Sequence, residues 1–286
     1  SMNQSRIMHI FFAGLAFLTS FTVYLITVAP TVPFWDGGEF IATSYILGIP
    51  HPPGSPLYIL IGRLFSMLPF GEVAWRVNMS SGFFSALTVM MVYMIVVKAV
   101  TIWRGEAESL ADLMAVHCGA LTGALMLAFS DTFWFNAVEA EVYAMSMLIM
   151  TVCTWLTFHW VERHDKPGSE RYLLLIGYLT FLGIAVHMFT LLIAPAVFLC
   201  AILTDRKEIT PQVAGLFAIM GLIMGSVVTS IDPFFTAIPL TLIGLIMFKG
   251  QVPWPWFLGG IVLAMLLLAI GSGGAGGFNG SPITIG

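Results

Sequence analysis

The run Ile10-Phe11-Phe12-Ala13 … Thr27-Val28-Ala29 carries no charge and leads almost directly into Pro33-Phe34-Trp35-Asp36-Gly37-Gly38-Glu39-Phe40. About 20 apolar residues suffice for a helix to cross a bilayer. The first stretch is therefore a membrane span, and the second is where that span meets water. It is longer than a signal-peptide apolar region, and no small-residue cleavage site follows it, so it reads as a retained helix. Ionisable side chains at this depth are costly and mark functional sites by default.

The composition extends this reading to the whole chain. Of 286 residues, 58% are hydrophobic and 9% charged, with a mean hydropathy of +0.95. Soluble domains carry roughly 25% charged residues. We therefore expect an all-α polytopic membrane protein forming a single membrane domain over residues 1–286. The net charge of −4 says little in a bilayer protein, but there is no basic tract, and no nucleic-acid partner is expected. Cys118, Cys153 and Cys200 lie in apolar runs without disulfide or metal spacing and read as small buried hydrophobes.

Further spans are expected at 80–101, 110–129, 142–161, 212–231 and 253–271. One helix over 172–203 would be roughly 48 Å long at ~1.5 Å per residue, too long for a ~30 Å core. Arg171 and Arg206-Lys207 flank it, so two short crossings with a turn near His187 fit better. Pro233 to Phe248 is another short crossing. This makes about nine crossings with a cytoplasmic N-terminus. Arg6, Lys98, Arg104, Arg163, Lys166, Arg171, Arg206, Lys207 and Lys249 then face the cytoplasm, and only Arg63 and Arg76 face outward, as the positive-inside rule requires. The glycine-rich stretch near Gly271 reads as flexible, and we expect the chain to be the membrane portion of something longer. No internal repeat supports an inverted-repeat transporter.

The first external loop, residues 30–79, reads as two short interfacial helices. One runs from Asp36 to about Leu47 and stops at Gly48 before Pro50. The other starts at Ser55-Pro56 and ends near Met67. Asp36 and Glu39 share a helix face. They form either a capping box or a general acid or base aimed at the interface, with Gly37 and Gly38 letting a substrate approach the backbone. The two readings are compatible. His51, before two prolines, is a turn residue or a phosphate or hydroxyl ligand. Arg63 and Arg76 either snorkel, pair with Glu72, or capture a phosphate.

The second external loop, 130–141, carries Asp131, Glu139 and Glu141. On a helix Glu139 and Glu141 would point apart, with Asn136, Glu139 and Tyr143 on one face. An acidic first turn favoured by the helix dipole is the plain alternative. His187 sits at a turn between short helices, where irregular backbone is tolerated if it lines a cavity. His117 and His159 read as packing residues. Asn78-Met79-Ser80 and Asn279-Gly280-Ser281 match the glycosylation pattern weakly.

Asp36-Gly37-Gly38-Glu39-Phe40, Leu47-Gly48-Ile49-Pro50-His51-Pro52-Pro53-Gly54-Ser55-Pro56-Leu57-Tyr58, Phe133-Trp134 with Ala140-Glu141-Val142-Tyr143, and Gly183-Ile184-Ala185-Val186-His187 occur in this order. Together, over roughly residues 10–200, they resemble a bacterial membrane-protein family related to protein O-mannosyltransferases, within the GT-C glycosyltransferases. The resemblance implies a GT-C-like helical bundle in a bacterial inner membrane with its active site facing the periplasm. It implies a polyprenyl-phosphate sugar as donor and a Ser/Thr hydroxyl of an exported protein, or a glycolipid, as acceptor. It makes Asp36 the catalytic acidic residue with Glu39 beside it. Arg63, Arg76, His51, Glu141, Tyr143 and His187 are the candidate substrate-binding residues.

The chemistry agrees. A sugar on a lipid phosphate must be attacked at the interface, where lipid donor and aqueous acceptor both reach. A carboxylate would take the proton of the attacking hydroxyl, and cations or a histidine would stabilise the departing phosphate. The transfer would be inverting. The loop lacks a D-x-D motif, so transfer without metal is favoured over use of a divalent metal, and no other cofactor is called for. The rival class, a transporter or flippase for a lipid-linked or phosphorylated substrate, would need charges in mid-span, and the spans are nearly free of them.

Overall fold

A computed structural model describes residues 2–52 and 54–206, and every regular element among them is helical. The elements are α1 (Met2–Thr27), α2 (Gly37–Ile46), α3 (Pro56–Ser66), α4 (Val73–Arg104), α5 (Leu110–Ala128), α6 (Asp131–Ala137), α7 (Val142–Val161), α8 (Glu170–Ile184), a 3-10 turn (Met188–Leu192) and α9 (Ile193–Arg206). The chain divides into one unit over Ser1–Ala201 and a second over Ile202–Gly286; the first carries the loops and all of the described residues except 202–206. Four helices, α1, α4, α5 and α7, are long and apolar enough to cross a membrane. The expected crossings at 212–231, 233–248 and 253–271 lie outside the described residues.

Helix α4 is the hub and packs against α1, α5 and α7. Its contacts use small residues, which let helix backbones approach where lipid supplies no hydrophobic drive. Ala16 of α1, Ala86 of α4, and Ala120, Ala124 and Ala128 of α5 are all buried in one cluster with Tyr24 and Tyr93. The Tyr24 hydroxyl donates to the Ala128 carbonyl at 2.8 Å, so a polar tip inside the bundle is satisfied. Outward faces keep large apolar side chains, such as Phe11 and Leu18 of α1 and Leu174 and Phe181 of α8. At 32 residues α4 overshoots a bilayer core, and it begins seven residues before the expected span. Its first turns stand among the loops and carry Arg76, Asn78 and Ser81.

Residues 172–203 are divided near His187, as expected. α8 ends at Ile184, and the chain turns at Ala185–His187 before the 3-10 turn. The Val186 and His187 amides both donate to the Gly183 carbonyl at 2.9 Å. The Thr190 hydroxyl donates to the carbonyls of Gly183 at 3.0 Å and His187 at 2.7 Å. A Cβ on Gly183 would stand 2.3 Å from Thr190 Cγ2, so only glycine admits this close return. The break in the helix is thus paid for by local hydrogen bonds.

The loop helices hold together through an equally close approach. A Cβ on Gly62 of α3 would stand 2.3 Å from the Ser44 hydroxyl of α2. Phe40, Ile41, Tyr58 and Ile59 from this pair are buried against Val77, Val142, Met145 and Val186. The Leu57 amide donates to the Ala185 carbonyl at 2.8 Å, which ties the start of α3 to the turn before His187.

Candidate active site

The bounds of α2 follow the sequence closely. Asp36 is its N-cap, and Leu47 ends it with a left-handed backbone (φ 56), with Gly48 donating to the Thr43 carbonyl at 2.9 Å. The capping box does not form. Asp36 is itself in the right-handed helical region, φ −78 and ψ −10, and its side chain makes no cap hydrogen bond. A capping side chain needs an extended backbone to reach the N2 and N3 amides. Glu39 does not reach back either. It turns to His51, accepting the backbone amide on Oε1 and the ring Nδ1–H on Oε2, each at 2.7 Å.

These two bonds orient the imidazole and place Nε2 3.9 Å from Asp36 Oδ2. They also shift both groups. The hydrogen bond from His51 holds Glu39 below the usual carboxylate range. The same bond, with the charges of Asp36, Glu39 and Glu141, raises His51 above its ordinary value against some desolvation. Asp36, Glu39 and His51 remain exposed, and their donor atoms lie within 4.8 Å of one another, close enough to share a divalent cation. Residues 36 and 39 were legible as a pair in the sequence; their convergence on His51 was not. Just before them, Trp35 is 86% exposed with φ 61, a strained conformation for a bulky side chain. Gly37 and Gly38 are needed by the loop itself, because a Cβ would strike Pro33 at 2.4 Å or Val32 at 2.9 Å.

The second loop brings Glu141 to the same place. No helix runs through Glu139 and Glu141: α6 ends at Ala137, and Glu141 is the extended N-cap of α7, φ −137 and ψ 142. Other segments take the backbone groups that a continuous helix would use. The Val138 carbonyl accepts from Ala29 at 2.9 Å, the Ala140 amide donates to Asn78 Oδ1 at 3.0 Å, and the Glu141 amide donates to Ser81 Oγ at 3.1 Å. In extended chain residues i and i+2 share a face instead of diverging as they do on a helix, and the charge of Glu139 bears on Glu141. Glu141 is pushed up to about 7, first by burial, then by the charges of Asp36 and Glu139. Burial raises Glu139 as well.

Tyr143 and His187 complete the group, their rings edge to face at 5.3 Å. His187 accepts the Phe189 amide on Nδ1 at 3.1 Å, and burial lowers its proton affinity. Asp36, Glu39, His51, Glu141, Tyr143 and His187 therefore gather from four separate segments. The two arginines do not join them. Arg63 donates to the Tyr45 carbonyl and lies over the Tyr45 ring at 5.5 Å, and Arg76 donates to the Leu68 carbonyl. Neither pairs with Glu72 or touches the acidic group. Asn78, which the sequence offered as a glycosylation match, is fully buried. It binds the Ala29 and Thr31 carbonyls at 2.8 and 2.9 Å as well as Ala140, and so joins both loops. Its spacing from Ser81, i to i+3 at the start of an apolar helix, was the available signal.

Comparison with known proteins adds three findings. Residues 36–210, more than half of the chain, match the family model of the Protein O-mannosyl-transferase TMEM260 N-terminal domain. Over 141 residues the chain is 31% identical to Protein O-mannosyl-transferase TMEM260 of Mus musculus, covering 49% of this chain and 18% of that protein. Over 209 residues it is 25% identical to Protein O-mannosyl-transferase tmem260 of Dictyostelium discoideum, covering 68% of this chain and 24% of that protein. The chain thus spans about a fifth to a quarter of the curated relatives it matches. No solved structure matches it.

Proposed function

The chain belongs to the TMEM260 N-terminal-domain family of protein O-mannosyl-transferases, and from that premise we propose that it is an integral-membrane glycosyltransferase of the GT-C type. It moves a sugar, mannose by analogy with its relatives, from a polyprenyl-phosphate donor to Ser/Thr hydroxyls of exported protein, with a glycolipid as the other acceptor class. Asp36 is the base that takes the hydroxyl proton, and the transfer is inverting. α2 and α3 lie in the interface, and the site faces the non-cytoplasmic side, the periplasm where the membrane is a bacterial inner one. The observation that carries this reading is the convergence of Asp36, Glu39, His51, Glu141, Tyr143 and His187 at one end of the bundle. That end is where a lipid-borne donor and an aqueous acceptor meet.

Asp36 suits the role because its carboxylate stays 58% exposed and open to an incoming hydroxyl. Glu39 holds His51 in place. We keep metal-independent transfer as part of the proposal, with Asp36, Glu39 and His51 acting as proton and hydrogen-bond groups. The test is sugar transfer from a polyprenyl-phosphate donor to a Ser/Thr peptide, wild type against Asp36→Asn, with and without chelator. Removing a general base typically costs on the order of 10²–10⁴-fold, and the chelator is expected to change nothing. Undiminished transfer by Asp36→Asn would overturn the role of Asp36. Loss on chelation with rescue by a divalent ion would instead make the three residues ligands.

A further inference from the structure

Two carboxylates approach the site from opposite loops, and their surroundings differ. Asp36 stands exposed at the head of α2. Glu141 is half-buried, and its backbone is fixed on α4. Its amide donates to Ser81 Oγ, the same hydroxyl donates to the Glu141 carbonyl at 3.4 Å, and the preceding amide is held by Asn78. Although Glu141 is the N-cap of α7, its side chain does not cap the helix. A carboxyl group at an N-cap is ordinarily taken up by the free amides there. This one makes no such cap; the adjoining Val142 amide bonds the carboxyl and lowers its proton affinity, but by less than burial and like charge raise it.

We propose that Glu141 is a catalytic residue of the transfer, a general acid that protonates the phosphate oxygen leaving the anomeric carbon while Asp36 takes the proton of the attacking hydroxyl. The assignment rests on the glycosyl-transfer reading above. The bond from acceptor oxygen to anomeric carbon forms as the bond from that carbon to the phosphate oxygen breaks, and the breaking bond's electron pair stays on phosphate. The hydroxyl proton ends on Asp36 and the Glu141 proton on the phosphate. Exchange with water then resets both carboxyls.

Environments that push two carboxyls apart in proton affinity separate the acid from the base. Here burial and like charge keep Glu141 protonated to near neutrality. A neutral Glu141 also spares the departing phosphate a further negative neighbour in a group where neither arginine is at hand. The groups that face it are Asp36 from the head of α2, His51 from the turn before α3, Tyr58 from α3, Glu139 from the second loop and Tyr143 from α7. His187 packs edge to face on Tyr143. Of these, His51 favours the charged form of Glu141, and the carboxylates oppose it.

The experiment uses the full chain in lipid nanodiscs. Transfer from polyprenyl-phosphate mannose to a Ser/Thr peptide is followed against pH for wild type, Glu141→Gln and Glu141→Asp, alongside an infrared pH titration of the protonated-carboxyl band. In wild type kcat is expected to fall as pH rises through neutrality, with a carboxyl titrating in the same range. Glu141→Gln should lose about 10²-fold in kcat, with little change in KM for the donor. It should also lose both the alkaline fall and the infrared band, and Glu141→Asp should restore part of each. A Gln variant with wild-type kcat and pH profile, or the absence of any wild-type carboxyl titrating near neutrality, would overturn the role. A wild-type chain that transfers no sugar would overturn the glycosyl-transfer reading and this role with it, and the infrared titration would still report whether Glu141 keeps its proton.

Discussion

The two ends of the helix bundle treat charge in opposite ways. Where α4 and α7 finish, opposite charges meet: Lys98 Nζ lies 2.6 Å from Glu162 Oε2, Arg104 3.2 Å from Asp112, and Arg163 3.8 Å from Glu162. Where α4 and α7 begin, Asp36, Glu39 and Glu141 gather around His51 with Glu139 beside Glu141, and the two arginines nearby bind carbonyls instead. Pairing at the first end satisfies the charges and leaves them inert. At the second end the imbalance remains; burial and then like charge raise Glu141, and the Glu39 hydrogen bond with the nearby carboxylate charges raises His51. At the first end the charges have opposite partners, whereas at the second one histidine is shared, close to Glu39 and 3.9 Å from Asp36.

The harshest way to break the second end is to remove what holds its backbone. Asn78→Leu leaves the Ala29 and Thr31 carbonyls and the Ala140 amide without their partner. At about 1–3 kcal/mol for each buried unsatisfied group, several kcal/mol of stability should be lost in thermal unfolding, and sugar transfer with it. Unchanged unfolding would show that the two loops are joined some other way.

Glu39→Gln acts more gently and sharpens the comparison. It removes the main cause of the raised His51, so the His51 titration followed by NMR should move down toward the ordinary 6.5. The pair also predicts a pH window. Glu39 lies below its ordinary 4.5, so its contribution is present above 4.5 and fades as pH falls through the lowered value. His51 lies above 6.5, so its contribution is present below 6.5 and fades as pH rises through the raised value. Hydrogen-exchange protection of the His51 amide should therefore be greatest between those limits in wild type and lose that dependence in the variant.

The smallest effect is expected at the opposite end. Lys98→Met removes a partly exposed ion pair and should cost about 1 kcal/mol or less, with no change in transfer rate. A loss of transfer as deep as that of Asp36→Asn would mean that the two ends are not functionally separate.

Much of the fold was legible because helix signals are local. Asp36 and Gly48 bracket α2, Ser55-Pro56 opens α3, and Arg171 with Arg206-Lys207 called for a break near His187. The site was legible as a set of residues and poorly as an arrangement. The capping box failed because its spacing says nothing of the backbone angle at Asp36, which is helical. Whether Glu139 and Glu141 point apart depended on whether a helix runs through them, which the sequence left open. The answer lay with Asn78 and Ser81, some 60 residues earlier in the chain, which take the amides of Ala140 and Glu141.

By itself the sequence determined that this is a helical membrane protein with acidic residues concentrated in two loops, because hydropathy, caps and breakers act over one or two turns. Only the tertiary structure decided that Glu39 serves His51, that the arginines stand aside, and that Glu141 comes to the site from the second loop. Those outcomes depend on hydrogen bonds and burial between segments far apart in the chain, which no local pattern encodes.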